Sequence, residues 1–273
     1  MKIDQKVAII GAGNIGISIA NGLTLSGEFN AGDIILTRRK IQMLEPMKNR
    51  GFQITGDNSA AVRQATIIII AVEPQQIDLV LKQIRPILNP DRHILISVVT
   101  GVKIAQIAAI IGDNIKIIRA MPNTAIAVRE SMTTLAANGV GLSAVKQASA
   151  IFDTVGKTLV IGEENMTAAT ALGACGIAFF LRAIRAASQG GIEIGFHSED
   201  ALLIAAQTAK GAASLLLTSG NHPEREIDKV TTPKGCTIAG LNRMEHEGFS
   251  SAMIKGITLS ANIAAGLYVE KQD

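Results

Sequence analysis

Lys6-Val7-Ala8-Ile9-Ile10-Gly11-Ala12-Gly13-Asn14-Ile15-Gly16 carries the decisive signal for the fold. A short β-branched run enters a turn of the form G-x-G-x-x-G, and a helical stretch follows at once. That glycine spacing alone is a weak sign; its place between a strand and a helix gives it meaning. Gly11 permits the tight turn, Gly13 lets the backbone approach a pyrophosphate, and Gly16 brings helix and strand together. The first N–H groups of the helix, those of Asn14, Ile15 and Gly16 among them, then face the phosphates.

The pattern continues outward. Further strands are expected at Ile34 to Thr37, Thr66 to Val72, His93 to Val98, Ile115 to Ala120 and Ser131 to Ala136. Ala65-Thr-Ile-Ile-Ile-Ile-Ala-Val72 is apolar almost throughout, as a parallel strand covered on both faces requires. Helices are expected at 15–25, 40–49, 59–64, 75–87 and 104–110. Such alternation indicates an α/β domain, a Rossmann-type doubly wound parallel sheet over residues 1–162. Beyond Ile161 no strand is expected. The remainder, 163–273, reads as an all-helical C-terminal substrate-binding and dimerisation domain, with helices at 165–190, 198–219, 237–247 and 250–270. Its Ala- and Gly-rich, charge-poor helices carry more apolar surface than one small domain uses.

The end of the second strand distinguishes the two nicotinamide dinucleotides. An acidic residue there accepts ribose hydroxyls in NAD enzymes. Here the chain reads Thr37-Arg38-Arg39, while Asp33 sits at the wrong end of the strand. Two guanidinium groups suit a 2′-phosphate, so NADPH is expected, with NADH accepted at lower preference. Ligands of open α/β sheets lie beyond the carboxyl ends of the strands. Those ends read Ala71-Val72-Glu73-Pro74-Gln75, Ser97-Val98-Val99-Thr100-Gly101 and Arg119-Ala120-Met121-Pro122-Asn123-Thr124, small and flat enough to wall a ribose and a nicotinamide.

Composition limits the alternatives. The 273 residues are 48% hydrophobic and 18% charged, with a net charge of +3. That is enough apolar material for a sizeable core, and the dispersed basic residues argue against nucleic acid as a partner. No secretory signal is read at the start. The apolar stretch Thr167 to Leu181 is too short to cross a bilayer, so it is read as a helix buried in protein. Two cysteines, Cys175 and Cys236, make no disulfide framework, and no metal-ligand spacing is found. A cytoplasmic globular protein is expected.

The helical half contains one unusual loop, Asp228-Lys-Val-Thr-Thr232-Pro-Lys234-Gly235-Cys236-Thr237, ahead of a helix. It has two readings: a second anion site at a helix start, suited to a carboxylate, or a plain cap by Thr237.

At this point the chain resembles the pyrroline-5-carboxylate reductase family over about residues 5 to 268. GAGNIG, AVEPQ, RAMPNTAIAVRES and, above all, DKVTTPKGCTIAGLNRMEHEGF carry the likeness. The resemblance implies NADPH-dependent reduction of 1-pyrroline-5-carboxylate to L-proline, the last step of proline biosynthesis. It further implies self-association as a dimer, often five dimers in a ring. It puts the pyrophosphate at Gly11 to Gly16, the 2′-phosphate near Arg39, and Asn58 on the adenosine side. It puts Val72, Pro74, Met121 and Asn123 on the nicotinamide and ribose wall. Thr232, Gly235, Cys236 and Thr237 would hold the substrate carboxylate, with Thr237 touching the ring nitrogen. Three departures stand out. Gly173-Ala-Cys175-Gly176-Ile-Ala-Phe179 replaces the family's usual SGSGPAY, Glu73 replaces a lysine, and Lys234 stands where glycine is more common.

The chemistry fits an imine better than a ketone. Alkoxide formation needs an acid, yet the stretch 165–190 contains no lysine and the one tyrosine, Tyr268, lies near the C-terminus. A cyclic iminium arrives protonated and needs mainly positioning, with Thr237 as orienter. The alternatives are a reductase of a related cyclic imine acid, a hydroxyacid dehydrogenase-like enzyme, and a dinucleotide-binding sensor without chemistry.

Overall fold

The computed structural model describes residues 5–266. They form two compact units: 176–259 is the second, and the rest of the described chain is the first. In the first, eight strands make one sheet: β1 (Val7–Ile10), β2 (Ile34–Thr37), β3 (Gln53–Thr55), β4 (Ile67–Ile70), β5 (Ile94–Ser97), β6 (Lys116–Met121), β7 (Ser131–Ala137) and β8 (Gly156–Val160). Their order is β3-β2-β1-β4-β5-β6-β7-β8. The first six strands run parallel, β7 is antiparallel to β6, and β8 is parallel to β7. The doubly wound parallel sheet is therefore present, with a reversed pair added at one edge. The short link from Met121 to Ser131 explains the reversal, because a parallel return needs a longer crossover.

The helices of this unit are α1 (Asn14–Leu25), α2 (Glu45–Lys48), α3 (Asn58–Gln64), α4 (Ile77–Ile84), α5 (Ile104–Ile111), α6 (Val145–Asp153) and α7 (Met166–Ala169). Ile67 to Ile70 are each fully buried. Successive side chains point to opposite faces, so Ile67 and Ile69 join one core layer and Ile68 and Ile70 the other. Each such side chain contributes about 1.5–3 kcal/mol. Helix α4 buries Ile77, Val80, Leu81 and Ile84, the i, i+3, i+4, i+7 stripe of a helix lying on a sheet.

The sequence reading missed β3, β8 and α6. Strand β3 has three half-buried residues and no apolar run, and β8 is an edge strand with Leu159 and Val160 half exposed. Neither shows the periodicity on which detection depends.

The second unit contains α8 (Gly176–Glu193), α9 (Ser198–Ser219), α10 (Pro223–Asp228), α11 (Cys236–His246) and part of α12 (Phe249–Ala265). Helices α8 and α9 pack as a hairpin. A Cβ at Gly191 would stand 3.0 Å from that of Ala201, so glycine sets this close approach. Tyr268 and the end of the helix expected over 250–270 lie outside the described residues.

One expectation is overturned. Thr167 to Leu181 is not a short buried helix: a helical run continues through Arg182 and Arg185 over Glu163–Glu193, 31 residues with only 17% of its apolar window buried. Ser198–Ser219 is similar, with 6% buried. By length and composition both could cross a membrane. Arginine is a good helix former, so the helix expected over 165–190 does run through these residues; what differs from expectation is its burial.

His93 is 2% exposed. Its Nδ1 accepts the Asn89 N–H at 2.9 Å, and Nε2 has no hydrogen-bond partner among the described residues. Burial, and then the charge of Arg92, hold its pKa below 6.5, opposed more weakly by the carbonyls of Ala65 and Val62. The unfolded chain therefore takes up this proton first as pH falls. Stability should decline as pH drops below about 6.5 and level off once the folded imidazole is also protonated. In urea titrations at stepped pH, His93→Asn, which keeps an acceptor for Asn89, should flatten that decline.

Candidate functional site: a dinucleotide cleft and a helix-start loop

The strand order reverses between β1 and β4, and a cleft of about 950 Å³ opens at their carboxyl ends. Gly11, at φ +92°, is placed so that a Cβ would stand 2.7 Å from the Ala71 carbonyl oxygen and 2.6 Å from Val72 Cγ1. The N–H groups of Gly11 and Ala12 donate to the Thr37 carbonyl at 3.2 and 2.8 Å, which ties the turn to β2. Gly16 packs so that a Cβ would meet the Gly11 carbonyl oxygen at 2.8 Å, whereas a Cβ on Gly13 would meet nothing within 4 Å. One glycine thus serves turn geometry, one serves packing, and Gly13 alone faces open space. Gly13 caps α1 without any side-chain hydrogen bond. The first N–H groups of that helix therefore have no intrahelical partner and suit an anion.

Gly11, Gly13, Thr37, Arg38, Arg39, Asn58 and Val72 line this cleft together. Thr37 is buried, and its hydroxyl donates to Asn58 Oδ1 at 2.6 Å, so it braces the wall and is not free for a phosphate. The Asn58 amide donates in turn to Gln83 Oε1 at 2.9 Å. Arg38 donates to the Ala12 carbonyl at 3.3 Å. Arg39 and Lys40 are exposed and form no ion pair among the described residues. Asp33 lies at the opposite end of β2, held by Asn30. A cleft with this basic end and no acidic residue after β2 fits a 2′-phosphate.

Ala12, Asn14, Ile15, Gly16 and Pro74 are not among the residues lining the cleft. Pro74 opens a 3-10 turn after β4, and Met121 is buried under the end of β6. Sequence reading missed Lys40, Met43, Gln76, Leu79 and Gln83 on the cleft wall. Leu79 is 75% exposed and off the buried stripe of α4.

The second candidate site belongs to the second unit. Gly235, not Thr237, is the N-cap of α11, and its N–H donates to the Thr232 carbonyl at 2.9 Å. A Cβ on Gly235 would collide with Thr232 Oγ1, so the turn demands glycine. Thr237 falls inside the first helical turn and is exposed, and its hydroxyl has no hydrogen bond among the described residues. The cap reading of Thr237 is therefore set aside. Lys234 adopts φ +56°, a left-handed conformation that costs a lysine about 1–2 kcal/mol, which explains why glycine suits this position.

The three glycines of the first turn make separable predictions. Gly13→Ala should leave thermal unfolding within about 1 kcal/mol of the unaltered protein and weaken dinucleotide binding about tenfold or more, because its methyl fills the approach to the pyrophosphate. Gly16→Ala should lower stability by about 1–3 kcal/mol through overpacking. Calorimetry and a dinucleotide titration on each variant separate the two effects.

Comparison with known proteins bears on the family and the fold. Residues 163–267 match the family model described as pyrroline-5-carboxylate reductase dimerisation, and 6–101 match that of NADP oxidoreductase, coenzyme F420-dependent. The chain is 51% identical to pyrroline-5-carboxylate reductase 1 of Dictyostelium discoideum, over 98% of this chain and 51% of that protein. It thus spans about half the length of that relative. It is 47% identical to pyrroline-5-carboxylate reductase 2 of the same organism, over 96% of this chain and 92% of that one. A crystal structure of Plasmodium falciparum pyrroline carboxylate reductase with NADP bound shares the fold at a TM-score of 0.88 and 24% identity, covering 98% of this chain and 100% of the other. On its likeness to relatives at this identity and coverage, the chain belongs to the pyrroline-5-carboxylate reductase family.

Proposed function

We propose that this chain reduces 1-pyrroline-5-carboxylate to L-proline with NADPH. The observation that carries the reading is the unengaged Thr237 hydroxyl in the first turn of α11, in a chain about half identical to two reductases of that name. The N–H groups of Cys236 and Thr237 lie where a helix start attracts a carboxylate, and Thr232 and Gly235 hold the preceding turn closed. Thr237 would then orient the ring nitrogen. NADPH, when bound, supplies the hydride. Gly11 to Gly16 would cradle its pyrophosphate and Arg38 and Arg39 its 2′-phosphate, with Asn58, Val72, Pro74 and Met121 along the adenosine and nicotinamide walls. The functional division we adopt is 1–162 for the dinucleotide and 163–273 for substrate and self-association.

The further reading is a cytoplasmic enzyme that buries the apolar, exposed faces of α8 and α9 against a second copy, and the match of residues 163–267 to a dimerisation model supports the self-association. Light scattering on the purified chain should give a dimer or a ring of five dimers, and a chain extracted only by detergent would favour a membrane instead.

Thr237→Ala should lower kcat/KM for the imine about ten- to hundredfold, the worth of one hydrogen bond to a charged group, with NADPH Kd changed less than about twofold. Arg38→Ala with Arg39→Ala should narrow the NADPH-over-NADH preference in the same absorbance assay. A preference that survives the double substitution would remove the 2′-phosphate from that end of the cleft. Parallel assays with the six-membered imine and with hydroxyacids distinguish the neighbouring reactions.

A further inference from the structure

The helical run that begins at Glu163 is not regular. Between α7 and α8 it passes through a π-helical turn, Thr170–Cys175. Such turns carry one extra residue and leave the backbone ladder mismatched. Within the first unit this turn packs against β6 and β7, and Ala174 joins the core layer that contains Met121. It therefore sits at the carboxyl end of β6.

Two side chains from β6 and its exit fasten the run to the sheet. Arg119, 5% exposed, donates to Glu163 Oε1 at 3.0 Å, and the same oxygen accepts the Ile104 N–H. Ten residues further along, Asn123 Nδ2 donates to the Gly173 carbonyl at 3.1 Å. Asn123 Oδ1 accepts the Ala125 N–H at 3.0 Å, and the Asn123 N–H donates to Ser131 Oγ at 3.1 Å. Turning the amide over would set oxygen against oxygen at Gly173 and N–H against N–H at Ala125, so both partners fix its orientation. The amide oxygen and one amide N–H are thus engaged within the protein. A Cβ at Gly173 would meet nothing within 4 Å, so the braced residue faces open space.

The direction of the dinucleotide gives this brace a consequence. The basic end of the cleft lies after β2 and the glycine turn after β1. An extended dinucleotide with its 2′-phosphate at Arg38 and Arg39 runs past β4 toward β5 and β6. Its nicotinamide end then lies near the strand ends that Asn123 ties to the π turn. We propose that Asn123 is a positioning residue that touches neither cofactor nor substrate: its amide holds the π turn against the end of β6 and so shapes the wall beside the reacting ring. This rests on the reductase reading above, and it replaces the expectation that Asn123 contacts the cofactor directly.

Asn123→Asp is nearly isosteric. It keeps the acceptor for Ala125 and puts a carboxylate oxygen against the Gly173 carbonyl. Asn123→Ser keeps the cap, cannot reach Gly173, and serves if the first variant fails to fold. Hydrogen exchange of residues 170–178 should quicken about tenfold or more in either variant relative to the remaining helices. With pyrroline-5-carboxylate, kcat should fall about tenfold to a hundredfold at unchanged NADPH Kd, since small misplacements at a reacting centre have effects of that size. The kcat of Asn123→Asp, as a ratio to the unaltered protein, should recover as pH falls, because a protonated carboxyl donates to Gly173 again. Unchanged exchange over 170–178 would overturn the brace. Weakened NADPH binding, or a lowered Tm with kcat intact, would overturn the positioning role. If the unaltered protein fails to reduce the imine, the reductase reading falls, and the exchange measurement still decides the brace.

Discussion

The dinucleotide cleft depends on one close approach. At the reversal of strand order the chain leaving β1 passes so near the end of β4 that Gly11 has no room for a side chain against Ala71 and Val72. A residue there must also adopt positive φ, which glycine does without the usual penalty. Because the turn is that tight, the Gly11 and Ala12 N–H groups reach the Thr37 carbonyl and lock β2 beside it. Helix α1 then starts directly over the crevice, and Gly16 lets it lie close enough to stay there. Geometry, anion attraction and packing thus come from three glycines with three different surroundings.

The same arrangement orders the electrostatics. Thr37, buried at the end of β2, holds Asn58 with its hydroxyl and the glycine turn with its carbonyl. The two residues that follow leave the sheet and carry guanidinium groups, with Arg38 anchored on Ala12 and Arg39 extended into solvent. One held and one exposed cation suit a phosphate that must be gripped and released, because a solvated charge pair is weak and exchanges easily.

What could be read from the sequence follows from how each feature is encoded. The all-isoleucine run of β4 reports burial on both faces directly, and the glycine spacing reports a turn whose requirements are local. The basic end of the cleft was legible for the same reason, as Arg38 and Arg39 are adjacent in the chain. The cleft's far wall was not, because Gln76, Leu79 and Gln83 are brought together only by the rotation of α4 on the sheet. Thr37 shows a further limit: a hydroxyl beside two arginines looks like part of a phosphate site, yet a partner 21 residues away engages it. Likewise the role of Gly235 as cap, displacing Thr237, depends on a collision with Thr232 that spacing does not reveal.

The apolar helices of the second unit show where composition stops discriminating. The most apolar 18-residue windows within Glu163–Glu193 and Ser198–Ser219, with mean hydropathies of 1.6 and 1.4, satisfy a bilayer as well as a protein interface. Packing chemistry separates the two environments better. A lipid-facing helix presents large side chains to acyl chains, and a charge at its centre costs at least about 2.5 kcal/mol. Here Arg182 and Arg185 sit near the middle of α8, both exposed, and Gly190 and Gly191 follow within two turns. Guanidinium groups among Leu181, Ile184 and small residues match the composition of an interface between proteins, where arginine is enriched. The match of residues 163–267 to a dimerisation model points the same way. Mixed charge and small residues are better tolerated by a second protein surface, as proposed above, than by lipid.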